Sequence, residues 1–335
     1  MAACVLTAPP EEAIITSVPA EQIRSVRVVG RREIAPAIIE LTLKTTTGGA
    51  LPDWEPGAHI DLRLGDDLIR QYSLVPSAES GAWTIAVLIE NEGRGGSRLI
   101  EQNVHVDSIV KASGPRNHFG FVAGNSYLFV AGGIGITPLI AMCRAASEAG
   151  ADWHLAYLGS TRSRMAYLAD LQREFGDRVA VYAGDEGARF DVEAEIDALA
   201  GETHVYCCGP ERLMNAVESA MSSPERVAYV HLEHFHPREA EQSENFEFTV
   251  YAVASAVEFV VTADESILMA ADFEGVVVPG DCLEGTCGSC ATRVLVGQIE
   301  HRDSILSPLE RANSEQMMIC VSRAKPGCTR LELDL

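Results

Sequence analysis

The chain has 335 residues and a formal net charge of −22, with 47% hydrophobic and 22% charged residues, which is a globular composition. Its length predicts roughly two or three domains. The negative charge argues against binding to nucleic acid or to an anionic membrane, because both depend on clusters of Lys and Arg. Residues 1–19 lack the pattern of a signal peptide, and no segment has the roughly 20 apolar residues of a membrane-spanning helix. We therefore expect a cytoplasmic protein with an N-terminal tail over residues 1–19.

Short runs of alternating apolar and polar residues extend from about residue 25 to residue 121. Residues 60–64 and 83–87 are examples, and turn residues such as Pro56-Gly57 separate the runs. Closely spaced short strands of this kind are typical of an antiparallel β-barrel. We assign this barrel to a first domain over residues 20–122.

After Gly124 the pattern changes to compact apolar strands that alternate with helical stretches. The predicted strands are residues 127–131, 153–158, 179–183, 204–208 and 227–232, and the predicted helices are residues 138–149, 165–175, 192–199 and 212–221. This alternation predicts an α/β domain with a parallel sheet, here over residues 123–236. Ligands bind outside the carboxyl ends of such strands, so we expect ligand sites after Ala131 and Cys208.

Residues 237–245 are polar and charged without apolar periodicity, which is typical of a linker. A predicted hairpin follows, with strands near residues 246–250 and 257–261, and then a short helix over residues 266–273. A cysteine-rich loop comes next. We assign residues 246–335 to a third domain.

The cysteines of this domain have a distinctive spacing. Cys282, Cys287 and Cys290 form a C-x4-C-x2-C run, and Cys320 lies far downstream. Four thiolates in this arrangement are the ligands of a plant-type 2Fe-2S cluster. Zinc is the alternative, but zinc sites normally combine two closely spaced pairs, and Cys320 has no second cysteine within four residues. We predict the iron–sulfur cluster, and we expect Cys328 to pack as a small apolar residue.

The last 90 or so residues resemble plant-type ferredoxins, and the chain from about Gln22 resembles the phthalate dioxygenase reductase and vanillate demethylase reductase family. The resemblance implies a multidomain protein with a flavin-binding antiparallel β-barrel, a nicotinamide-binding α/β domain and a β-grasp ferredoxin of the α+β class. It also implies FMN, NADH and a 2Fe-2S cluster as the cofactors.

The stretch Arg70-Gln71-Tyr72-Ser73 matches the family's Arg-x-Tyr-Ser motif. A tyrosine can lie against an isoalloxazine ring, and an arginine can neutralise a phosphate. Residues 93–98 precede an apparent helix, whose free amides suit a phosphate, and their similarity to FMN-binding members favours FMN over FAD. The resemblance implies these flavin-binding residues: Arg70, Gln71, Tyr72, Ser73, Val87, Leu88, Gly95, Gly96 and Ser97. Residues 114–119 also resemble the family's sequence at the end of the barrel.

Residues 132–138 follow a predicted strand and open a helix, with Thr137 expected at the N-cap and Pro138 at the first helical position. The G-x-G-x-x-G fingerprint is absent, but the segment resembles the family's Gly-Gly-x-Gly-x-Thr-Pro. The stretch Cys208-Gly209-Pro210 resembles the family's Cys-Gly-Pro, and Phe235 resembles its flavin-covering aromatic residue. The implied residues of this site are Gly132, Gly133, Gly135, Thr137, Pro138, Arg162, Cys208, Gly209, Pro210 and Phe235.

Residues 160–164 follow the second sheet strand, where the adenosine ribose is expected. An acid there would select NADH, whereas an arginine could accommodate the 2′-phosphate of NADPH, and this stretch has arginines without an acid. The family resemblance nevertheless favours NADH. It also implies that Ser73, Cys208 and Phe235 lie at the reacting groups.

The expected activity is that of an electron-transfer reductase. NADH would give hydride to FMN, and single electrons would pass through the cluster to a terminal oxygenase, as the resemblance implies. That partner would be a Rieske-type aromatic oxygenase or O-demethylase with a basic docking patch; the alternative acceptor is a cytochrome P450 or another iron protein. We expect a monomeric reductase.

Overall fold

A computed structural model of the chain describes residues 23–65, 68–90, 95–238 and 242–335. The predicted N-terminal tail, Gly93 and Arg94 of the glycine-rich segment, and linker residues 239–241 lie outside these residues. No helix in the described ranges is both long and apolar enough to cross a membrane.

The first unit is the expected antiparallel barrel. Its elements are β1 (Arg24–Ala35), β2 (Ile38–Thr45), β3 (His59–Arg63), β4 (Ile69–Val75), β5 (Trp83–Leu88), α1 (Gly96–Asn103) and β6 (Ile109–Arg116). The six strands close in the order β1-β2-β5-β4-β3-β6. Inward side chains such as Leu41, Ile60 and Trp83 fill the barrel, and Ile100 of α1 joins the same core. The alternation in the sequence therefore corresponds to inward and outward faces of the strands.

The second unit is a five-stranded parallel sheet with helices. Its elements are β7 (Ser126–Gly132), α2 (Ile136–Glu148), β8 (Asp152–Gly159), α3 (Leu168–Phe175), β9 (Val179–Ala183), α4 (Val192–Asp197), β10 (His204–Cys208), α5 (Glu211–Ala220) and β11 (Val230–Glu233). The strand order is β11-β10-β7-β8-β9. Since β7 and β10 are neighbours and parallel, the loops that follow them lie side by side.

The last strand of this sheet is shorter than the sequence predicts. Val227–Tyr229 forms a 3-10 turn, and strand pairing begins at Val230, which lies opposite Val205. Because β10 itself begins at His204, residues before Val230 have almost no neighbouring strand to pair with.

The third unit has the β-grasp fold. Its elements are β12 (Phe248–Ala252), β13 (Val257–Val261), α6 (Ile267–Phe273), β14 (Ala291–Val296), β15 (Ile299–Glu300), α7 (Pro308–Asn313), β16 (Gln316–Met318), β17 (Arg323–Ala324) and β18 (Arg330–Leu333). The main sheet has the order β13-β12-β18-β14-β16, with β12 and β18 parallel. Ile267 and Leu268 of α6 pack into the core of this unit, which also contains Cys290 and Cys320.

The described residues on either side of 239–241 contact the second and third units. The Arg238 amide donates to Ser304 Oγ at 2.9 Å, and its side chain pairs with Glu218 of α5 at 2.8 Å. Arg311 of α7 contacts the same Glu218 at 2.6 Å. Ser243 donates to the Glu300 carboxylate. Polarity in the sequence here reflects ion pairs as well as exposure to solvent.

Candidate active site

One cleft is lined by residues from all three units. It brings together these predicted residues: Arg70, Gln71, Tyr72, Ser73, Leu88, Gly96, Ser97, Thr137, Phe235 and Cys282. Cys282 is the first cysteine of the C-x4-C-x2-C run, so a predicted cluster ligand faces the same space as the predicted flavin residues.

The phosphate end of the predicted flavin site forms where β4 meets α1. A Cβ on Gly96 would lie 2.6 Å from Arg70 Cγ, so only glycine leaves room for this arginine beside the start of the helix. Gly95 is the N-cap at φ 83°, and no side chain of the described residues caps the helix. Ser97 Oγ accepts a hydrogen bond from the Glu90 amide at 3.1 Å. Free amides beside a guanidinium suit the phosphate of FMN.

Val87 does not line the cleft. Its side chain is fully buried in the barrel core, whereas Ala86, Leu88 and Glu90 face the cleft. The reason is the two-residue period of β5, which places odd and even positions on opposite faces. The prediction of Val87 as a side-chain contact to the flavin is therefore not supported by its orientation.

Ser73 Oγ and Glu233 Oε2 are among the buried polar atoms of cleft-lining residues that have no hydrogen-bond partner in the described part of the chain. Buried polar groups normally have partners, so these atoms are suited to a ligand with polar edges, such as an isoalloxazine ring or a nicotinamide. Burial raises the pKa of Glu233 to about 8. The sequence offered no signal for Glu233 beyond its place two residues before Phe235.

The loops after β7 and β10 pack directly on each other. A Cβ on Gly135 would lie 2.2 Å from the Cys208 carbonyl oxygen, and one on Gly132 would lie 2.5 Å from Pro210 Cδ. A Cβ on Gly209 would lie 2.9 Å from the Gly132 Cα. The glycines therefore serve the close approach of the two predicted nicotinamide loops. Cys208 is buried here, and burial together with Glu233 raises the pKa of its thiol.

The start of α2 differs from the prediction. The helix begins at Ile136 with Gly135 as its N-cap, and Thr137 Oγ1 donates to the Ile134 carbonyl instead of capping the helix. Pro138 is accordingly the third helical residue. The preceding 3-10 turn, Gly133–Gly135, already carries the chain into helical geometry, so no side-chain cap is needed.

Arg162 lies outside the cleft and is occupied by acids that the local sequence did not reveal. Its side chain makes two hydrogen bonds to the Glu186 carboxylate, at 2.5 and 2.8 Å, and its amide donates to Asp185. These acids follow β9, the neighbour of β8 in the sheet. The stretch 160–164 itself has no acid, but the fold brings Asp185 and Glu186 from the turn after β9 to the same edge of the sheet.

The four predicted ligand cysteines lie together. Hydrogen bonds from Cys287 and Cys320 lower the pKa of the Cys282 thiol, and Cys320 also contacts Cys290. No group of three or more His, Cys, Asp or Glu side chains in the described ranges is placed to hold a metal ion. A 2Fe-2S cluster does not need such a group, because each of its two irons takes two cysteines and the rest of its coordination is inorganic sulfide. The donor set therefore fits this cluster. Cys328 stands apart and packs against the core, as expected.

The cysteine loop is attached to the barrel at both of its ends. Asp281, just before Cys282, contacts Arg63 at 3.2 Å and Arg116 at 3.3 Å. At the other end, Gly288 lies against the ring of His118. Arg116 also pairs with Asp61, which is fully buried in the barrel. None of these attachments was predicted, because the loop and the barrel are far apart in the sequence.

Comparison with known proteins agrees with this arrangement. The 2Fe-2S iron-sulfur cluster binding domain family matches residues 252–325, which include all four cysteines. Vanillate O-demethylase oxidoreductase from a Pseudomonas species is 36% identical over 312 residues, which is 90% of this chain and 97% of that protein. A solved structure of phthalate dioxygenase reductase, described as a modular structure for electron transfer from pyridine nucleotides to 2Fe-2S, is also similar. It is 34% identical with a TM-score of 0.65, and the match covers 93% of this chain and 98% of that reductase chain.

A solved type IV self-sufficient cytochrome P450 monooxygenase also matches, at 40% identity and a TM-score of 0.85 over 93% of this chain. The chain spans only 41% of the length of that P450. Relatives that match along nearly their whole length therefore define the family. The chain belongs to the phthalate dioxygenase reductase and vanillate O-demethylase reductase family of flavin and iron–sulfur oxidoreductases.

Proposed function

We propose that this protein is the reductase component of a two-component oxygenase system of the Rieske type, acting on an aromatic compound or as an O-demethylase. As a member of its family, the chain is an NADH-dependent oxidoreductase with FMN and a 2Fe-2S cluster. When bound, FMN would supply a hydride acceptor and the cluster would supply single-electron transfer. The observation that supports the proposal is the shared cleft, in which the cluster ligand Cys282 faces the residues of the flavin strand.

The protein's own residues bind and orient the reactants. We propose that Arg70, Gly95, Gly96 and Ser97 hold the FMN phosphate, and that Gln71, Tyr72, Ser73 and Leu88 contact its ring. Phe235 would cover the ring, and Cys208 and Thr137 would lie at the nicotinamide, beside the glycine loops. Burial raises the pKa of Tyr72, so its phenol stays neutral and can pack against a ring. Cys282, Cys287, Cys290 and Cys320 would hold the two irons.

The proposed domains are residues 20–122 for FMN, 123–236 for NADH and 246–335 for the cluster, with a linker over residues 237–245. These limits agree with the strands, since β6 ends at Arg116 and β7 begins at Ser126. The third unit starts before β12 at Phe248.

We propose that the terminal oxygenase binds to the ferredoxin unit by charge complementarity. Residues 241–335 contain 16 acidic and 6 basic side chains. A surface of this charge favours a partner with a basic patch near its own redox centre, and complementary charge mainly raises the association rate. We also propose that the reductase is monomeric and located in the cytoplasm.

A cytochrome P450 is the second candidate acceptor. The similarity to the self-sufficient P450, at 40% identity, favours it specifically, because that protein joins a comparable reductase to a P450 in one chain. The two candidates differ in the acceptor and share the path from NADH to the cluster.

The test compares Cys290→Ser with the matched control Cys328→Ser in the full chain. We expect C290S to keep NADH-dependent ferricyanide reduction, because a small dye can take electrons from the flavin. It should lose at least about nine-tenths of the electron transfer to a vanillate-type terminal oxygenase supplied with its substrate, whereas C328S should keep both activities. A C290S protein that drives the oxygenase at the full rate would overturn the path through the cluster. Turnover of a P450 but not of the oxygenase would support the second candidate.

A further inference from the structure

His118 lies between the flavin cleft and the cysteine loop. It follows β6 and lines the cleft together with Gln71 and Ser73 of the flavin strand. On its other side, a Cβ placed on Gly288 would be 2.6 Å from His118 Nε2 and 2.7 Å from Cε1. Gly288 stands between the ligands Cys287 and Cys290. The imidazole therefore occupies the space that a side chain in the cluster loop would otherwise need.

The surroundings of His118 hold its ring in place. Asn117 Nδ2 donates to the Pro56 carbonyl at 3.0 Å, and the Phe119 amide donates to Asn117 Oδ1 at 3.1 Å. Phe119 is buried and packs edge-on against Tyr206 at 5.4 Å. These contacts fix the backbone on both sides of His118. His118 thus lies in the bend after β6, and contacts of both of its neighbours hold this bend against the barrel and the second unit.

A second ring supports the imidazole from the barrel side. His59 lies 5.7 Å from His118, measured between ring centroids, and His59 Nε2 is 3.1 Å from Gln71 Nε2. Gln71 belongs to the flavin strand β4. A continuous set of contacts therefore runs from the flavin strand through His59 and His118 to the backbone of the cluster loop.

The other end of the loop is held independently by Arg63 and Arg116 at Asp281. With one end fixed by charge, the distance from the cluster to the cleft depends on what supports the Gly288 end. Among the described residues, His118 is the side chain nearest to a Cβ placed on Gly288. Its removal would leave a gap on the flavin-facing side of the loop.

We propose that His118 is the positioning residue that sets the placement of the cluster relative to the flavin, and thereby the rate of electron transfer between them. This inference rests on the proposed path from flavin to cluster. One electron passes from the reduced flavin to the oxidised cluster, and no bond forms or breaks at His118. A small displacement of reacting groups can cost large factors in rate, so the effect of losing the ring should be selective for this step.

The test uses the full holoprotein and anaerobic stopped-flow mixing with NADH, which follows flavin and cluster reduction as separate absorbance changes. The variants are His118→Ala and His118→Gln, with the exposed His105→Ala as the control. We expect H118A to reduce its flavin at the wild-type rate and its cluster on the order of tenfold more slowly. H118Q, which still fills much of the space against Gly288, should recover part of the loss.

Two further readouts separate positioning from simple loss of structure. Iron content and the electron paramagnetic resonance spectrum of the reduced cluster should show one intact 2Fe-2S cluster per chain in each variant. Wild-type cluster reduction in H118A would overturn the inference, and so would equal slowing of the flavin and cluster steps or loss of the cluster. If the wild-type cluster itself were not reduced through the flavin, the proposed function would fail instead.

Discussion

The Arg116 guanidinium at the end of β6 lies 3.3 Å from the carboxylate of Asp281, the residue immediately before the first cluster cysteine. Arg116 is almost fully buried, and its other partner is the buried Asp61. The positive charge of Arg116 at the end of the barrel thus holds the start of the cysteine loop.

We expect Asp281→Asn to destabilise the protein on the order of 1–2 kcal/mol, because hydrogen bonds to charged groups contribute roughly 1.5–3 kcal/mol and solvent screens part of this at the partly exposed Asp281. The two arginines would lose their shared anion, although Arg116 would keep Asp61. The measurement is the midpoint of thermal loss of the cluster's visible absorbance, with the exposed Asp264→Asn as control. Equal midpoints for the two variants would contradict a role of Asp281 in fixing the loop.

Gly96→Ala should weaken FMN binding. The added methyl would overlap Arg70 Cγ at 2.6 Å and would push the arginine away from the start of α1. We expect the dissociation constant of FMN, measured by titrating flavin-free protein, to rise on the order of tenfold, as for the loss of a charge-assisted contact. Gly120→Ala is the matched control, since nothing lies within 4 Å of a Cβ at that position. If both variants bind FMN like the wild type, Arg70 does not hold the phosphate.

Glu186→Gln should shift coenzyme preference towards NADPH. In the wild-type protein the Glu186 carboxylate accepts hydrogen bonds from Nε and Nη2 of Arg162, and these bonds lower the pKa of Glu186. A neutral amide would release the guanidinium for a 2′-phosphate. We expect the ratio of kcat/KM for NADPH to that for NADH, assayed with ferricyanide, to rise on the order of fivefold. Glu193→Gln on the neighbouring α4 controls for the loss of an exposed charge, and an equal ratio in both variants would refute the assignment.

Glu233 should make stability depend on pH. Its pKa in the folded protein is raised to about 8 by burial, from an ordinary value of 4.5. Between these values the folded state keeps a proton that the unfolded state releases, so rising pH favours unfolding until pH 8. We expect Glu233→Gln to lack this pH-dependent contribution to the free energy of unfolding. Its thermal midpoint relative to wild type should therefore be higher at pH 8 than at pH 6. A difference that is constant across this range would show that Glu233 is ionised in the folded protein.

Local patterns in the sequence were sufficient for much of the fold. Strands β9 and β10 have the predicted limits because compact apolar runs are bounded there by polar residues. The four cysteines were recognisable from spacing alone, since one loop supplies three of them. The beginning of α2 was not predictable in detail, because a 3-10 turn at Gly133–Gly135 replaces the side-chain cap that Thr137 suggested.

The contacts between units could not be predicted, because their partners are distant in sequence. Arg116 and Asp281 are 165 positions apart, and Arg162 and Glu186 are 24 positions apart in the turns that follow two neighbouring strands of one sheet. His118 lies in a segment that resembles the family's sequence, but the contact of its imidazole with Gly288 is visible only in the structure. Such pairs depend on how whole units pack against each other, so the local hydrophobic periodicity of the sequence cannot predict them.

Adjacent residues of the cluster loop face different surroundings. Cys282 lines the flavin cleft, while Leu283, at φ 58°, has 60% of its surface exposed to solvent. The first ligand cysteine thus faces the electron donor, and the next side chain faces the space open to an acceptor. The cluster loop is thus reached from the flavin cleft on one side and from solvent on the other while the three units are in contact. We therefore expect the acceptor to bind at the exposed side of this loop, without movement of a domain from donor to acceptor.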